Sequence, residues 1–253
     1  MDPLLDFTGK VAVITGAAQG FGKLLAEELA KRGAKLVISD INAAGVHKVA
    51  DEIASTGADI IALKCDVSKN DDCKAMVDTA IKNYGRVDIG VNNAGIAHAF
   101  HALHDIDEAL MDSQFAINVK GVQFGMKHQI EQMLTQEGGA ILNVSSIAGL
   151  GGAAYVGAYS MAKHAVIGLT KTGAVEYGRH NIRINAICPF FTLTKMVTDM
   201  ADDKMQSKMS LDAPMKRLGE PKEIVAMMLM MLSPKNTYMS GQCIAVDGGF
   251  SAQ

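Results

Sequence analysis

The feature that most restricts the fold of this chain is a regular alternation of short β-branched runs with longer amphipathic stretches. Residues 11–15 read as a buried strand and 21–32 as a helix closed by Gly33. Strands follow at 36–39 and 60–65, separated by a helix over 43–55 that stops at Gly57. Ser68 and Asp71 form a capping box for a helix running to Tyr84. A fourth strand is expected at 87–91, a long helix at 111–134 and a fifth strand at 140–144. A helix over 158–177, a strand over 182–187, a helix over 224–232 and a last strand over 243–246 complete the pattern. Such repetition calls for a parallel sheet with helices on both faces, and right-handed crossovers make it a doubly wound Rossmann fold of seven parallel strands. No linker, low-complexity segment or internal repeat interrupts the 253 residues, so one α/β domain over 1–253 is expected.

Length and composition narrow the function. Folding a chain of this size buries roughly 75% of its extended surface, so the core needs no staples. A net charge of −3, without a basic run, gives no basis for a nucleic-acid partner. Cys65, Cys73, Cys188 and Cys243 form no C-x-x-C pair, which argues against disulfides and zinc and for a reducing compartment. Residues 1–10 carry Asp2 and Asp6 and lack the regions of a signal peptide. No apolar run approaches the ~20 residues of a membrane span. A cytoplasmic protein without membrane contact is expected.

Residues 96–106 and 190–215 break the pattern. Both follow predicted strands and so fall at the carboxyl edge, where open α/β sheets bind ligands. The second carries Met196, Met200, Met205, Met209 and Met215, which reads either as a surface helix with an apolar face or as an adaptable lid over an apolar substrate.

The first strand runs straight into Thr15-Gly16-Ala17-Ala18-Gln19-Gly20-Phe21-Gly22 and then a helix. Glycines there let the backbone approach a pyrophosphate, and the helix start offers free N–H groups and partial positive charge. Gly16, Gln19, Gly20, Phe21 and Gly22 are therefore candidate cofactor contacts. Asp40 closes the second strand, where a carboxylate accepts hydrogen bonds from the adenosine ribose and repels a 2′-phosphate. Neither Ile41-Asn42 nor Ala17-Ala18-Gln19 supplies a cation to receive that phosphate, so NAD is favoured over NADP. Asp66 and Val67, after the third strand, are candidate adenine contacts, although an aspartate there also forms turns.

Tyr159-Ser160-Met161-Ala162-Lys163 sets a phenol and an ammonium at i and i+4 on one helix face. A tyrosine of ordinary pKa ~10 is a poor base at neutral pH. A neighbouring lysine stabilises the phenolate and makes Tyr159 a usable general base. Ser145 and Ser146 end the fifth strand, where a hydroxyl can hold a substrate oxygen.

These motifs, with Asn92-Asn93-Ala94-Gly95, Asn118, Asn143-Val144-Ser145-Ser146 and Val246-Asp247-Gly248-Gly249, make the chain resemble the short-chain dehydrogenase/reductases from end to end. The resemblance implies that Ser146 polarises the substrate oxygen, with Ser145 the adjacent alternative. It implies that Tyr159 is the acid/base, that Lys163 lowers its pKa and binds the nicotinamide ribose, and that Asn118 holds a relay water. Asn93, Ala94 and Gly95 would line the cofactor, as would Pro189 and Thr194 at the nicotinamide end. The resemblance further implies a homo-oligomer, commonly a tetramer built on two long helices. The helix over 158–177 carries Ala162, Ala165, Gly168 and Gly173, which allow close packing between subunits or, equally well, within one.

One departure stands out: where the family reads Pro-Gly, this chain has Pro189-Phe190-Phe191. Phe190 and Phe191 either wall the substrate pocket or pack beneath the loop. His98, Ala148, Ala153 and Met196 are the other candidate pocket residues. His98, His101 and His104 drift off one helical face and lack an acidic partner, so no metal is expected. The leading expectation is an NAD-dependent enzyme interconverting a secondary alcohol and its ketone, on an apolar and cyclic or aromatic substrate. An NADPH-dependent reductase of 3-oxoacyl thioesters and a non-catalytic dinucleotide-binding scaffold are the alternatives.

Overall fold

The computed structural model describes residues 2–252. Its strands are β1 (Val11–Thr15), β2 (Lys35–Asp40), β3 (Ile60–Lys64), β4 (Ile89–Asn92), β5 (Gly139–Val144), β6 (Ile182–Pro189) and β7 (Cys243–Val246). They form one seven-stranded sheet in the order β3-β2-β1-β4-β5-β6-β7, every pair parallel. The helices are α1 (Gly20–Ala30), α2 (Ala43–Ala54), α3 (Asn70–Tyr84), α4 (Glu108–Gln114), α5 (Gly121–Met133), α6 (Gly157–Tyr177), α7 (Lys195–Met200), α8 (Asp203–Asp212) and α9 (Pro221–Leu232).

β1 explains why its sequence is apolar without alternation. Ala12 and Ile14 enter the core formed with α1, α2 and α9, while Val11 and Val13 enter the core formed with α3, α5 and α6. Burial on both faces is the condition of a central parallel strand. The chain winds outward from β1 to β3, then returns to place β4 on the other side of β1. That reversal between β1 and β4 opens the crevice in which such sheets take their ligands.

The predicted strands all form, with ends shifted by a few residues at most. β6 runs on to Pro189, which pairs with Val246 at the strand end, where a missing N–H is tolerated. Two local expectations fail for identifiable reasons. Ser68 does not cap α3: its N–H and hydroxyl both donate to Asp66 Oδ1, at 3.1 and 2.7 Å, so the helix begins later with Asp71 and Asp72 in its first turn. The long helix is broken by a π-helical segment, Phe115–Lys120, between α4 and α5. In it Asn118 bonds both backbone groups of Ile96. The stretch 190–215 contains α7 and α8, as its surface-helix reading allows, the latter capped by Asp202 through Met205 N–H at 2.8 Å.

Candidate active site

The glycine turn after β1 and the Asn93–Gly95 segment after β4 are locked together at the crevice. Thr15 Oγ1 accepts the N–H groups of Asn93 and Ala94 at 3.0 and 3.1 Å, and Asn93 Nδ2 donates to the carbonyls of Thr15 and Gly16 at 2.9 Å each. Gly16 has φ 67°, and a Cβ there would lie 2.8 Å from Ala94 Cα. Nothing but hydrogen fits at Gly22 either, where a Cβ would meet the Gly16 carbonyl oxygen at 2.4 Å.

Two observations show that this cradle fits a dinucleotide. Gln19, the N-cap of α1, makes no side-chain cap, which leaves the first N–H groups of the helix to an anion. Gly20 (φ 58°) has no atom within 4 Å of where a Cβ would stand, so the turn is open on that side. Phe21 contributes only backbone there, because its ring packs on the α1/α2/α9 core. Asp40 faces the same turn: Oδ2 accepts Ala18 N–H at 3.0 Å and Oδ1 accepts Asn42 N–H at 2.9 Å. Asp66 is largely a turn former. Ser68 draws its carboxyl below the usual range, and Lys69 lies at 3.8 Å. Val67 is buried against Gly121.

Tyr159, Ser146 and Lys163 converge at the carboxyl end of β5. The half-buried Tyr159 phenol is pushed above its ordinary pKa by burial, and a hydrogen bond with the Ser146 hydroxyl works against that shift. Lys163 is 4% exposed, with Nζ 5.4 Å from the centre of the Tyr159 ring and donating to the Val144 carbonyl at 2.9 Å. Burial brings its ammonium down from 10.5 to about 8. The Lys163 ammonium sits over the ring face of Tyr159 and also donates to the Val144 carbonyl, so it adjoins the phenol from one side. Ser145 is excluded from direct chemistry by its own bond, since Oγ donates to the Lys163 carbonyl at 2.9 Å. Ser146 Oγ instead accepts Ala148 N–H at 3.1 Å, which leaves its proton for the Tyr159 phenol or a substrate oxygen.

The buried ammonium has a measurable consequence. Between about 8 and 10.5 the unfolded chain keeps a proton that folded Lys163 has released, so stability rises with pH across that window. Relative to Lys163→Met, the wild-type protein is expected to gain unfolding free energy as pH is raised from 8 to 10.5, read from urea midpoints. A difference that stays flat with pH would count against this.

Asn118 is fully buried in the π segment, with Oδ1 accepting Ile96 N–H at 2.9 Å and Nδ2 donating to Ile96 O and Gln114 Oε1 at 2.8 and 2.7 Å. Gly95 separates it from Lys163: a Cβ there would lie 2.8 Å from Asn118 Oδ1 and 3.5 Å from Lys163 Nζ. Gln114, unremarked in the sequence, is buried beside Asn118, and its Nε2 has no protein partner. Asn92, Gln129, Asn143 and Thr170 form a second buried network, in which Gln129 and Thr170 are the members sequence reading misses.

The expected pocket residues divide. Ala148 is buried beside Ser146, its carbonyl accepting Ser160 Oγ at 2.7 Å, and Ala153 lies in the loop before α6. Phe190 stacks on Phe250 (centroids 4.4 Å apart, 16° between planes) and lies against Phe191 at 4.7 Å. Phe190 and Phe191 line a cavity of about 260 Å³ with Met215, Arg217 and Glu223, and neither Tyr159 nor Ser146 borders it. Pro189 is buried at the end of β6, and Thr194 is the N-cap residue of α7. Of the methionines, Met209 is buried with Val197, Ala201 and Leu218, on which Phe100 and Phe191 pack, whereas Met196 is exposed. The two irregular stretches thus meet through Phe100. His98 is buried and His101 and His104 are exposed; among the described residues no group of three His, Cys, Asp or Glu is placed to hold a metal ion. All four cysteines are free. No helix among the described residues is long and apolar enough to cross a membrane.

A family model described as Enoyl-(Acyl carrier protein) reductase matches residues 16–251. Cyclohexanol dehydrogenase of Acinetobacter sp. (strain SE19) is 34% identical over 247 residues, 98% of this chain and 97% of that protein. Cis-4-hydroxycyclohexanecarboxylate dehydrogenase of Sinomonas cyclohexanicum is 37% identical over 246 residues, 97% of this chain and 98% of that protein. The crystal structure of levodione reductase superposes with a TM-score of 0.94 at 34% identity, covering 97% of this chain and 99% of that one.

Proposed function

The chain belongs to the short-chain dehydrogenase/reductase family of oxidoreductases, and from that premise we propose NAD as its cofactor and a cyclic secondary alcohol, or the matching ketone, as its substrate. The observation that carries the chemistry is the buried Lys163 ammonium over the Tyr159 ring, with Ser146 near enough to draw the phenol's pKa down. The relatives whose names specify cyclohexane-ring alcohols support the substrate class.

When bound, NAD supplies the hydride acceptor at nicotinamide C4. The protein supplies the rest. Ser146 holds the substrate oxygen, and Tyr159 takes the hydroxyl proton in oxidation and returns it in reduction. Lys163 holds the nicotinamide ribose and adds positive charge beside the phenol. Asn118 and a water pass the proton from Lys163 outward. Gly16, Gly20 and the free N–H groups of α1 receive the pyrophosphate, Asp40 the adenosine ribose, Asp66 and Val67 the adenine, and Pro189 and Thr194 the nicotinamide end. Residues 190–215 act as the substrate lid. A 3-oxoacyl-thioester reductase using NADPH is disfavoured because neither Ile41-Asn42 nor Ala17-Ala18-Gln19 supplies a cation for a 2′-phosphate. We also assign a homotetramer. Gly168 lies open on α6, two turns from exposed Met161 on the same face, whereas Ala162 and Gly173 are turned inward, with a Cβ at Gly173 only 2.9 Å from Ile184 Cδ1.

The test is turnover, followed by reduced nicotinamide, across cyclohexanols, open-chain secondary alcohols, aromatic alcohols and steroid alcohols with NAD and NADP. Cyclohexanols with NAD are expected to exceed open-chain alcohols by about tenfold or more in kcat/KM, the scale of a hydrophobic pocket's discrimination. Binding of NADH without turnover of any alcohol or ketone would establish the scaffold reading instead.

A further inference from the structure

His98 makes two hydrogen bonds whose partners fix its state. Nδ1 lies 2.6 Å from the Ala99 carbonyl, which only accepts, so Nδ1 carries the proton. Nε2 lies 3.3 Å from the backbone N–H of Tyr159, which only donates, so Nε2 is the bare acceptor of a neutral ring. Tyr159 is the third residue of α6, in the turn whose N–H groups have no intrahelical acceptor. Val156, the N-cap, provides no side-chain bond, and the first α-helical bond is Ser160 N–H to Val156 O at 2.8 Å.

The segment presenting His98 is held on both sides. His101 N–H donates to the Tyr155 carbonyl at 2.9 Å. Leu103 and Ile106 press on Gly157, where a Cβ would fall 2.7 and 3.0 Å from their methyl carbons. Phe100 packs on the cluster of Val197, Ala201, Met209 and Leu218. His98 itself is 7% exposed, so water does not compete for its bond. An imidazolium would set N–H against N–H at the positive end of α6.

We propose that neutral His98 is a positioning residue that caps α6 from outside the helix and fixes the backbone of Tyr159, and with it the phenol, against Ser146. Its kinetic consequence rests on the function proposed above; its structural consequence does not.

Two variants separate the cap from simple packing. His98→Gln keeps an acceptor at the position of Nε2, and His98→Leu keeps bulk without one. Loss of a cap corresponds to roughly five- to tenfold in a local equilibrium. Amide exchange over residues 157–161 should accelerate by about that factor in His98→Leu, and kcat for cyclohexanol should fall by about tenfold with the NADH Kd within about twofold. His98→Gln should restore both measurements. Unchanged exchange in His98→Leu, or equal loss in both variants at unchanged melting temperature, overturns the proposal. Should His98→Leu not fold, nitrogen NMR of the wild-type ring decides: a protonated Nδ1 with bare Nε2 supports the cap, and the other tautomer or an imidazolium overturns it. If wild-type protein does not turn over cyclohexanol, the functional reading fails while exchange and NMR still judge the cap.

Discussion

Replacing Tyr159 with phenylalanine is expected to lower kcat on the best alcohol by about 10²- to 10⁴-fold, the span that positioned acid/base groups contribute. NADH binding, followed by its fluorescence, should stay within about twofold, because no main-chain group of the glycine turn depends on the phenol. The variant removes one oxygen from a side chain whose ring rests beside Lys163 and whose helix bonds are unaltered. Ser146 keeps its bond from Ala148 N–H, so the serine is not left without a partner. The loss therefore reports proton transfer and not collapse of the site. Near-normal turnover in Tyr159→Phe would remove the tyrosine from the mechanism and shift attention to a water ordered by Ser146. The expected fall also separates an enzyme from a scaffold, since a scaffold shows no rate to lose.

How much of the molecule is legible in the sequence depends on the range of the forces involved. Strands β1, β2 and β6 are plain because burial on both faces favours short runs rich in apolar and β-branched residues, a signal carried within the strand itself. The start of α3 is not, since two nearby side chains compete for the same serine, and the Asx turn at Asp66 wins over the capping box. At α9 the reverse holds: Glu220 and Glu223 form a reciprocal box that a search for Ser or Thr overlooks. The π segment hides in a run whose periodicity continues helically from α4 into α5. What marks it is the bonding of Asn118 to Ile96, and that partner lies outside the helix.

The site divides in the same way. Gly16, Gly22, Ser146, Tyr159 and Lys163 stand in local motifs whose spacing encodes their chemistry. Thr15 is as necessary to the cradle, yet its role is to receive Asn93 and Ala94 from β4, a contact no local pattern announces. Phe190 is the clearest case. Its identity marks a departure from the family, but its placement is decided by Phe250 near the other end of the chain. His98 reads as a pocket wall from its neighbours, whereas its bond goes to α6. Gln114 carries no motif at all, and only burial with an unpaired amide draws notice to it.

Asp40 carries the second large expected effect, a change of cofactor preference. Hydrogen bonds to a charged group contribute roughly 1.5–3 kcal/mol each, and like charges set together cost several kcal/mol. With both terms acting, wild-type protein should favour NAD over NADP in kcat/KM by about 10²-fold or more. Asp40→Asn is the instructive variant. Its Oδ1 can still accept one of the two backbone N–H groups that the carboxylate now receives, from Ala18 at 3.0 Å and Asn42 at 2.9 Å, so the turn is kept while the charge is removed. The ratio should then move toward NADP by about 10- to 100-fold, with NAD turnover falling because the ribose bonds weaken. Adding Ile41→Arg supplies a cation in the chain segment beside Asp40 at a residue that is 63% exposed, so the substitution disturbs no core. The double variant should prefer NADP. Equal use of both cofactors by wild-type protein would sink the assignment, as would a ratio unmoved by Asp40→Asn, since either result means that the carboxylate at the end of β2 does not meet the adenosine ribose.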